Sequence, residues 1–506
     1  MTTEAEALRW LAQNTAARPP VFLVSEVPVD VLRALDRSRL VLRLPAGIVA
    51  LKSPADDPDT VIRAVVWSIV EKLTGVYAPA VVERDSAVRL HLGRTDPGQE
   101  IRLRQTGQTR WQKEIVPGLV IRVERGDVTD STEVRIGDAR IPVDPAEQVL
   151  LSLPLNFLRG EGLRDVSVWL KSLMLSHPAV VNAYRENPRP VVLKRIADIA
   201  ADVGNDRLSD MLSQIVSAEQ NVRIGRDRTG IGRELVIPAQ VAAMATTNRP
   251  WLDRLSLMIL ESITQIDNVI AAAPPSRGGR NLPSLLEEAR AARAYDAYHS
   301  SSIEGYRLRL EEVSSLLGGT GTGPRIEDLE SRLAVIGYSA AFDNLLARME
   351  SAGGTIKLSG SLALDLYADL FIPSVEAGLV DSADLRGWRS SPVYIRNTMF
   401  VPPNADKVPA MIEMLFEQIE RIPADQGLLR ACLVHLWFVW IHPFPDGNGR
   451  VARFLMNAAL LGAGEPWLTL RMDQRDEYFE TLRAAQLDEN YEPFGRLILR
   501  SAQSTA

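Results

Sequence analysis

The sequence predicts an α+β, multidomain protein in which a mixed α/β N-terminal region precedes a mostly α-helical C-terminal part. Its 506 residues are enough for about two to four domains. Short runs of β-branched residues bounded by Pro and Gly are concentrated in the first 150 residues and predict strands. Apolar residues at spacings of three and four dominate after residue 144 and predict helices. We therefore expect domains at 1–55, 56–150, 151–280 and 281–506.

The first of these domains has the element order of a winged helix. Helices are predicted over Glu4–Asn14 and Val29–Leu35, and Leu40–Lys52 is predicted to be a two-stranded hairpin around Pro-Ala-Gly. This order resembles the N-terminal module of antitoxin-type regulators of the abortive-infection E kind, and the next helix, Asp59–Leu73, resembles the second part of that family. Further strands are predicted at Glu100–Arg104, Leu119–Glu124 and Glu133–Val143.

An arginine cluster near the predicted hairpin is a candidate site for binding nucleic acid. The cluster consists of Arg33, Arg37, Arg39 and Arg43. These side chains could meet DNA phosphates. The same cluster could be the solvated face of a domain that binds a protein partner, or of a scaffold. The formal net charge of the chain is −7, so bulk charge does not favour nucleic acid.

The chemistry-bearing part of the chain is a predicted helix–loop–helix. Apolar residues recur at helical spacing over Leu428–Ile441, and two prolines then prevent the helix from continuing beyond His442. Gly447 and Gly449 permit a sharp loop with exposed amides. A second helix is predicted from Arg450 to Leu461. The Gly-Asn-Gly segment therefore lies at a helix N-terminus, which suits a phosphate group.

Side chains of this loop suit the transfer of a phosphate-bearing group to a hydroxyl. His442 can accept a proton near neutral pH. Asp446 is a hard oxygen ligand of the kind that Mg²⁺ prefers. Arg450 and Arg453 lie on one helical turn and offer paired donors to phosphate oxygens.

The segment His442–Arg453 resembles the signature of the Fic family, H-x-F-x-[D/E]-G-N-G-R-x-x-R, and matches every fixed position. The resemblance covers roughly residues 280–500. It implies a protein adenylyltransferase that uses ATP and Mg²⁺ and has a helical core with a β-hairpin flap. It also implies that His442 is the catalytic base and Asp446 the metal ligand. Phosphate would be bound by Gly447, Asn448, Gly449, Arg450 and Arg453.

Two upstream segments extend the resemblance. Ser300, Glu304 and Gly305 match the family's inhibitory motif [S/T]-x-x-x-E-[G/N], which implies that Glu304 pairs with Arg453 and denies this arginine to ATP. Val393-Tyr394-Ile395 begins a β-branched and aromatic stretch that is predicted to be the flap hairpin, which in the family holds the target protein. Further on, Tyr478 could border the adenine pocket or simply pack in the core.

Several alternatives stay open on the sequence alone. The chain could be a DNA-binding regulator or a toxin–antitoxin-like protein with a Fic sensor domain. The same core could also remove AMP from a modified target or use another nucleotide. The target protein is unknown from the sequence, and a homodimer is one arrangement that the family implies.

The composition indicates an ordinary globular protein, with 46% hydrophobic and 24% charged residues. The single cysteine, Cys432, excludes an internal disulfide bond and a cysteine-based zinc site. The N-terminal residues show no pattern of a secretion signal, and no apolar run is long enough to span a bilayer. We therefore expect no membrane segment and a cytoplasmic location. The abundance of arginine is typical of a GC-rich bacterial genome.

Overall fold

The computed structural model describes residues 4–14, 21–54, 56–160, 162–220, 237, 239, 241–273, 280–318, 326–393, 395, 398 and 400–505. The chain divides into two compact units. Unit 1 comprises Met1–Leu257 and Val393–Pro403, and unit 2 comprises Met258–Pro392 and Asn404–Ala506. The finer division into domains predicted above stays a prediction.

Unit 1 is the mixed α/β part that the sequence predicts. Its helices are α1 (Glu4–Asn14), α2 (Val29–Arg37), α3 (Pro58–Ala64), α4 (Val66–Val76), α5 (Arg84–His91), α6 (Ala146–Ser152), α7 (Gly162–Ser172), α8 (His177–Glu186), α9 (Pro190–Asp202) and α10 (Asp206–Gln220). Its strands are β1 (Val21–Leu23), β2 (Val41–Leu44), β3 (Ile48–Leu51), β4 (Ala80–Val82), β5 (Glu100–Gln105), β6 (Trp111–Val116), β7 (Leu119–Arg125), β8 (Thr132–Ile136) and β9 (Ala139–Val143). The boundary between the two units lies within α11 (Pro250–Ala271).

The strands of unit 1 form two sheets. The smaller sheet is antiparallel with the order β1-β3-β2, so the predicted hairpin at Leu40–Lys52 is confirmed. Its turn places Ala46 and Gly47 at φ values of 58° and 71°. The larger sheet has the order β6-β7-β5-β4-β9-β8, in which the β4–β9 and β5–β7 pairs are parallel. The parallel pairing of β4 with β9 brings together the residues that follow these strands, Glu83 and Asp144.

The structure of unit 1 differs from the prediction in several details. The predicted helix Asp59–Leu73 is two helices, because Val65 leaves helical geometry with φ −113° and ψ 13°. The predicted strand Glu133–Val143 is the hairpin β8–β9, which turns at Gly137 with φ 58°. Strand β6 was not predicted, because its polar residues give only a weak pattern; three consecutive residues in it are exposed. The winged-helix assignment stays a prediction.

Unit 2 is helical. After α11 its helices are α12 (Leu282–Ile303), α13 (Leu310–Gly318), α14 (Leu329–Ser351), α15 (Gly360–Glu376), α16 (Val408–Glu420), α17 (Gly427–Ile441), α18 (Asn448–Gly462), α19 (Arg475–Asp488) and α20 (Glu492–Thr505). Nearly every residue of α17 is buried, as expected of a helix that is apolar on all faces. Helices α17 and α18 pack against each other, and the loop between them carries the signature residues. Cys432 is buried in α17.

Some predicted segments fall wholly or partly outside the described residues. Tyr394 of the predicted flap is one of them. The described residues between Pro392 and Pro403 contain no strand, and the flap hairpin stays a prediction. Over the described ranges, none of the helices combines the length and apolar character that crossing a membrane requires.

Candidate active site

The loop between α17 and α18 begins and ends at residues in left-handed backbone conformation. His442 caps α17 with φ 54° and ψ 60°, and Gly447 precedes α18 with φ 77° and ψ 4°. The two prolines on either side of Phe444 cannot supply the N–H groups that a continuing helix would need. A Cβ atom on Gly447 would stand 2.8 Å from a ring carbon of Phe371. Glycine is therefore required here both by the positive φ and by the close approach.

The side chain of Asn448 braces this loop from within. Its Oδ1 accepts a hydrogen bond from the Phe444 N–H at 2.9 Å, and its Nδ2 donates to the Phe444 carbonyl at 2.8 Å. The Phe444 ring stacks on Tyr367 with a centroid distance of 3.8 Å. Because both ends of the Asn448 amide are used in this way, its side chain holds the shape of the loop. A role of Asn448 in phosphate binding would fall to its main chain.

The ring of His442 is held as a neutral base. Its Nδ1 lies 3.2 Å from the carbonyl oxygen of Val439, and because a carbonyl only accepts, Nδ1 carries the proton. Nε2 is then the ring atom with a free lone pair. Burial lowers the pKa of His442 to about 4, and the charge of Arg389 acts in the same direction. The imidazole is therefore unprotonated at neutral pH and able to accept a proton.

Arg389 fixes the main chain of the turn that carries His442. Its Nε donates to the His442 carbonyl at 2.7 Å, and its main-chain N–H donates to the Pro443 carbonyl at 2.9 Å. The side chain is buried, and this burial lowers the pKa of Arg389 to about 10. Local sequence patterns contained no signal for this contact, because Arg389 lies 53 residues before His442.

Asp446 and Arg450 form an ion pair across the first turn of α18. Nη2 of Arg450 lies 3.1 Å from Oδ2 of Asp446. The Arg450 side chain is only 1% exposed and lies over the rings of Tyr306 and Phe371, whereas the Asp446 side chain is 63% exposed. The Asp446 side chain is thus largely accessible to a ligand although one of its oxygens pairs with Arg450.

Arg453 is committed to the last turn of α12. Its Nε donates to Oγ of Ser300 at 2.6 Å, and its Nη2 donates to the Ser300 carbonyl at 3.0 Å and to Oε1 of Glu304 at 2.6 Å. Burial acts to lower the pKa of Arg453, but the Glu304 carboxylate outweighs it and raises that pKa. Gly305 follows with φ 101°, a conformation that ends the helix directly after Glu304. The structure therefore brings together the two residues that the inhibitory motif implies.

The Glu304 carboxylate lies against the N-terminal turn of α18. A Cβ atom on Gly449 would stand 2.3 Å from Oε1 of Glu304 and 3.2 Å from Nη1 of Arg453. Glycine at 449 therefore leaves the space that the carboxylate occupies. Among the described residues, Nη1 of Arg453 and Nε of Arg450 are buried without a hydrogen-bond partner. Two guanidinium groups with spare donors and a helix N-terminus together make a site for an anion.

A divalent cation fits this loop only with help from a ligand. The part of the chain that the structure describes contains no cluster of three or more His, Cys, Asp or Glu residues suited to a metal. Mg²⁺ is commonly bound by one or two carboxylates together with substrate phosphates and water. The exposed Asp446 carboxylate beside the anion site meets that requirement.

Residues 358–460 match the Fic/DOC family. The chain contains a Fic domain. Protein adenylyltransferase Fic of Drosophila melanogaster is 29% identical over 280 residues, which are 53% of this chain and 52% of that protein. The protein of the same name from Nematostella vectensis is 26% identical over 279 residues, 53% of this chain and 60% of that protein. The chain thus spans about half the length of the curated relatives that it matches.

The solved structures that are similar to this chain include Fic-1 from C. elegans, with a TM-score of 0.36 and 18% sequence identity. That similarity covers 68% of this chain and 97% of the solved chain.

Tyr478 lies in the core of unit 2. Its side chain is 2% exposed, and its hydroxyl lies 3.3 Å from Nε2 of His435 in α17. Burial lowers the pKa of His435 to about 3, so this second histidine is neutral as well. These contacts favour core packing as the role of Tyr478.

The arginine cluster of unit 1 is partly paired with carboxylates. Arg43 lies 2.5 Å from Asp36, and Arg33 lies 3.8 Å from Asp30. Arg37 donates from Nε to the Arg33 carbonyl. This pairing reduces the positive charge that the cluster could offer to a phosphate backbone.

Proposed function

We propose that this protein transfers AMP from ATP to a Ser, Thr or Tyr hydroxyl of a target protein, and that Glu304 holds it in an inhibited state. One observation carries the proposal. The Glu304 carboxylate lies at the N-terminus of α18, on Arg453 and against Gly449, where a nucleotide phosphate would otherwise bind. The curated relatives named as protein adenylyltransferases support the same chemistry.

In the proposed reaction His442 acts as general base. Nε2 accepts the proton of the target hydroxyl while the hydroxyl oxygen attacks the α-phosphorus of ATP. A new P–O bond forms to the target, the bond from the α-phosphorus to the bridging oxygen breaks, and pyrophosphate leaves. The neutral state of His442 and the Nδ1 contact to Val439 support this role. Most of the rate enhancement would come from positioning and electrostatic stabilisation.

The charge of the phosphates would be met by α18 and the loop before it. The amides at Gly447 and Gly449 and the guanidinium groups of Arg450 and Arg453 would hold the phosphate oxygens. Asp446 would hold Mg²⁺ through its exposed carboxylate. When bound, this ion neutralises phosphate charge and the charge that develops on the leaving pyrophosphate.

Inhibition follows from the competition of two anions for one site. Nη2 of Arg453 is engaged by Glu304 and by the Ser300 carbonyl, so it is not free for the terminal phosphate of ATP. A carboxylate in that position also repels the phosphate. ATP could still bind in this state, but with its α-phosphate out of line with the target hydroxyl.

The recognition of the target is assigned on the resemblance alone. Val393, Tyr394 and Ile395 of the flap would pair with an extended segment of the target and hold its hydroxyl over His442.

The proposal is tested with purified wild type, Glu304→Gly and Glu304→Gly/His442→Ala, each incubated with ATP and Mg²⁺ and with lysate proteins. Intact-mass spectrometry detects AMP added to the protein itself or to a target. We expect adducts with Glu304→Gly, far fewer with wild type, and none with the double variant. Glu311→Gly serves as a matched control, since this glutamate lies on α13 and is expected to behave as wild type. Absence of AMP transfer from Glu304→Gly would overturn the proposal.

A reverse reaction on the same site is favoured by one observation. The Glu304 side chain is 26% exposed, so water can reach its carboxylate beside the anion site. Glu304 could then activate this water to release AMP from a modified target. Release of AMP by wild type but not by Glu304→Gly would establish it, and its absence in both would exclude it.

A further inference from the structure

The last turns of α12, which carry Ser300 and Glu304, are held along one face by a short segment that follows α18. We call residues Leu468–Arg475 the strap. It connects α18 to α19 and includes a single helical turn at Met472–Gln474. Its contacts to α12 come from three positions spaced three residues apart: Thr469, Met472 and Arg475.

Each of these positions forms a hydrogen bond with α12. Oγ1 of Thr469 donates to Oδ1 of Asp296 at 2.7 Å. The Met472 N–H donates to Nδ1 of His299 at 3.0 Å.

The third bond lies next to the inhibitory glutamate. Nε of Arg475 donates to the Ile303 carbonyl at 3.0 Å. The contacted residues 296, 299 and 303 are separated by three and four positions, so they lie on one face of α12. Ile303 immediately precedes Glu304, and its carbonyl is one of those that a helix leaves unpaired at its C-terminus. Arg475 therefore supplies a partner at the turn from which Glu304 projects.

The other end of the strap is fixed to the helix that carries Arg453. Asn457 lies one turn after Arg453 in α18 and is 1% exposed. Its Oδ1 accepts from the Leu468 N–H at 2.7 Å, and its Nδ2 lies 3.0 Å from the Leu468 carbonyl and 3.1 Å from the Arg453 carbonyl. The strap is thus joined by hydrogen bonds to α18 at one end and to α12 along its length.

The same face of α12 has a further contact at Asp296, the contacted residue farthest from Glu304. Asp296 also accepts from the Tyr338 hydroxyl of α14 at 2.7 Å, and it is buried. Burial raises the pKa of Asp296, while the Thr469 and Tyr338 hydroxyls act against that rise. Asp296 is thus held by both Thr469 and Tyr338. Movement of Glu304 away from Arg453 therefore requires the strap contacts nearer to Glu304, those of Met472 and Arg475, to break.

We propose that the strap sets the strength of inhibition, with Arg475 as the positioning residue that keeps Glu304 on Arg453. Loss of the Arg475 contact frees the last turn of α12 and shifts the population toward a form in which Arg453 can bind phosphate. This inference rests on the proposed function. It differs from the Glu304–Arg453 pair itself because Arg475 contacts neither the anion site nor His442 in the described contacts. Its contact to α12 is the Ile303 carbonyl, and its other partners, Asp476 and the Phe479 ring, lie on its own helix.

The test measures AMP incorporation by wild type, Arg475→Met, Glu304→Gly and Glu304→Gly/Arg475→Met. Arg483→Met is the matched control, because Arg483 lies on the same helix and pairs with Glu480. A hydrogen bond from a charged donor is worth enough to change a population by about tenfold, so we expect Arg475→Met to raise incorporation about tenfold over wild type. Arg483→Met should equal wild type. In the Glu304→Gly background, Arg475→Met should change nothing, since no inhibitory carboxylate remains to be positioned.

Equal rates for Arg475→Met and Arg483→Met would overturn the proposal. A fall in rate caused by Arg475→Met in the Glu304→Gly background would also overturn it, because that would indicate general damage. If Arg475→Met does not fold, Thr469→Val removes another strap contact and is expected to act in the same direction.

A measurement that does not depend on AMP transfer distinguishes failure of this inference from failure of the proposed function. If Glu304→Gly transfers no AMP, the proposed function fails, and amide hydrogen exchange of Ser300–Gly305 then tests the strap alone. Faster exchange there in Arg475→Met than in Arg483→Met supports the strap, and identical exchange overturns it.

Discussion

Each unit of this protein contains a largely buried ion pair between an arginine and a carboxylate, and the two pairs differ in how the carboxylate is held. In unit 2, Arg453 is 3% exposed and pairs with Glu304, whose side chain is 26% exposed and lies at a helix end. In unit 1, Arg104 pairs with Asp144, whose side chain is 0% exposed and lies directly after β9. The Glu304 carboxylate is partly open to solvent and can separate from Arg453. The Asp144 carboxylate is fully enclosed by protein.

The neighbours of the two carboxylates sharpen this difference. Burial raises the pKa of Asp144 to about 7, and the buried Glu83 nearby adds to the rise while Arg104 opposes it. The Asp144 main chain is also tied into the sheet, since its N–H donates to the Val82 carbonyl. Removing Arg104 from the unit 1 pair should therefore destabilise the fold. In the unit 2 pair, replacing Glu304 should raise AMP transfer, whereas replacing Arg453 should abolish it.

The largest expected effect is on unit 1. Arg104→Met leaves Asp144 and Glu83 buried without their shared arginine, and breaking a buried pair in this way costs about 3–5 kcal/mol of unfolding free energy. Thermal unfolding should show a much lower Tm. Arg122→Met, which removes a more exposed partner of Glu100, should lower Tm far less. Equal losses in both variants would contradict the distinction.

In unit 2 the arginine side of the pair should be needed for turnover. Arg453→Met in the Glu304→Gly background removes a donor to the phosphates, and loss of such a group lowers rates by about 10²–10³-fold. Arg453→Met alone should also be inactive although it breaks the same pair as Glu304→Gly. The measurement is AMP incorporation at saturating ATP. Activation by Arg453→Met would contradict the assignment of Arg453 to phosphate binding.

A pH dependence of stability should belong to the unit 1 pair. The folded-state pKa of Asp144 is about 7, above its ordinary value of 3.8, so folding favours the protonated carboxyl. This contribution is full below pH 3.8 and is lost as pH rises through about 7. Asp144→Asn should remove that decline, which we expect to be about 2 kcal/mol between pH 5 and 8. Chemical denaturation at both pH values measures it, and an unchanged decline in the variant would refute the assignment.

The smallest effect concerns His442. With its pKa at about 4, the imidazole stays neutral throughout the range in which an exposed histidine would titrate. The AMP-transfer rate of Glu304→Gly should therefore change less than about twofold between pH 8 and pH 6. An acidic limb centred near pH 6.5 would show that burial, assisted by the charge of Arg389, does not lower the pKa of His442 as the structure indicates.

In unit 2 the sequence predicted the two helices and the loop of the candidate site, but it gave no bounds for the other helices. Helices α17 and α18 and the loop between them follow from apolar spacing, two prolines and two glycines, all of which act locally. In unit 1 the hairpin β2–β3 was predicted from its Pro-Ala-Gly turn, but β6 was missed because its three central polar residues are all exposed and give no alternating pattern. The bracing role of Asn448 was also not foreseen. Its residue type fits both a phosphate contact and a loop brace, and only the position of the Phe444 main chain distinguishes them.

What the sequence determined by itself is the chemistry of the site, since His442, Asp446, Gly447, Gly449 and the two arginines lie within twelve consecutive residues. What only the tertiary structure decided is how that chemistry is restrained. Glu304 meets Arg453 across 149 residues, and the strap meets α12 across 172 and 173 residues. Such contacts depend on how whole helices pack, because spacing along the chain carries no information about which helix faces lie together.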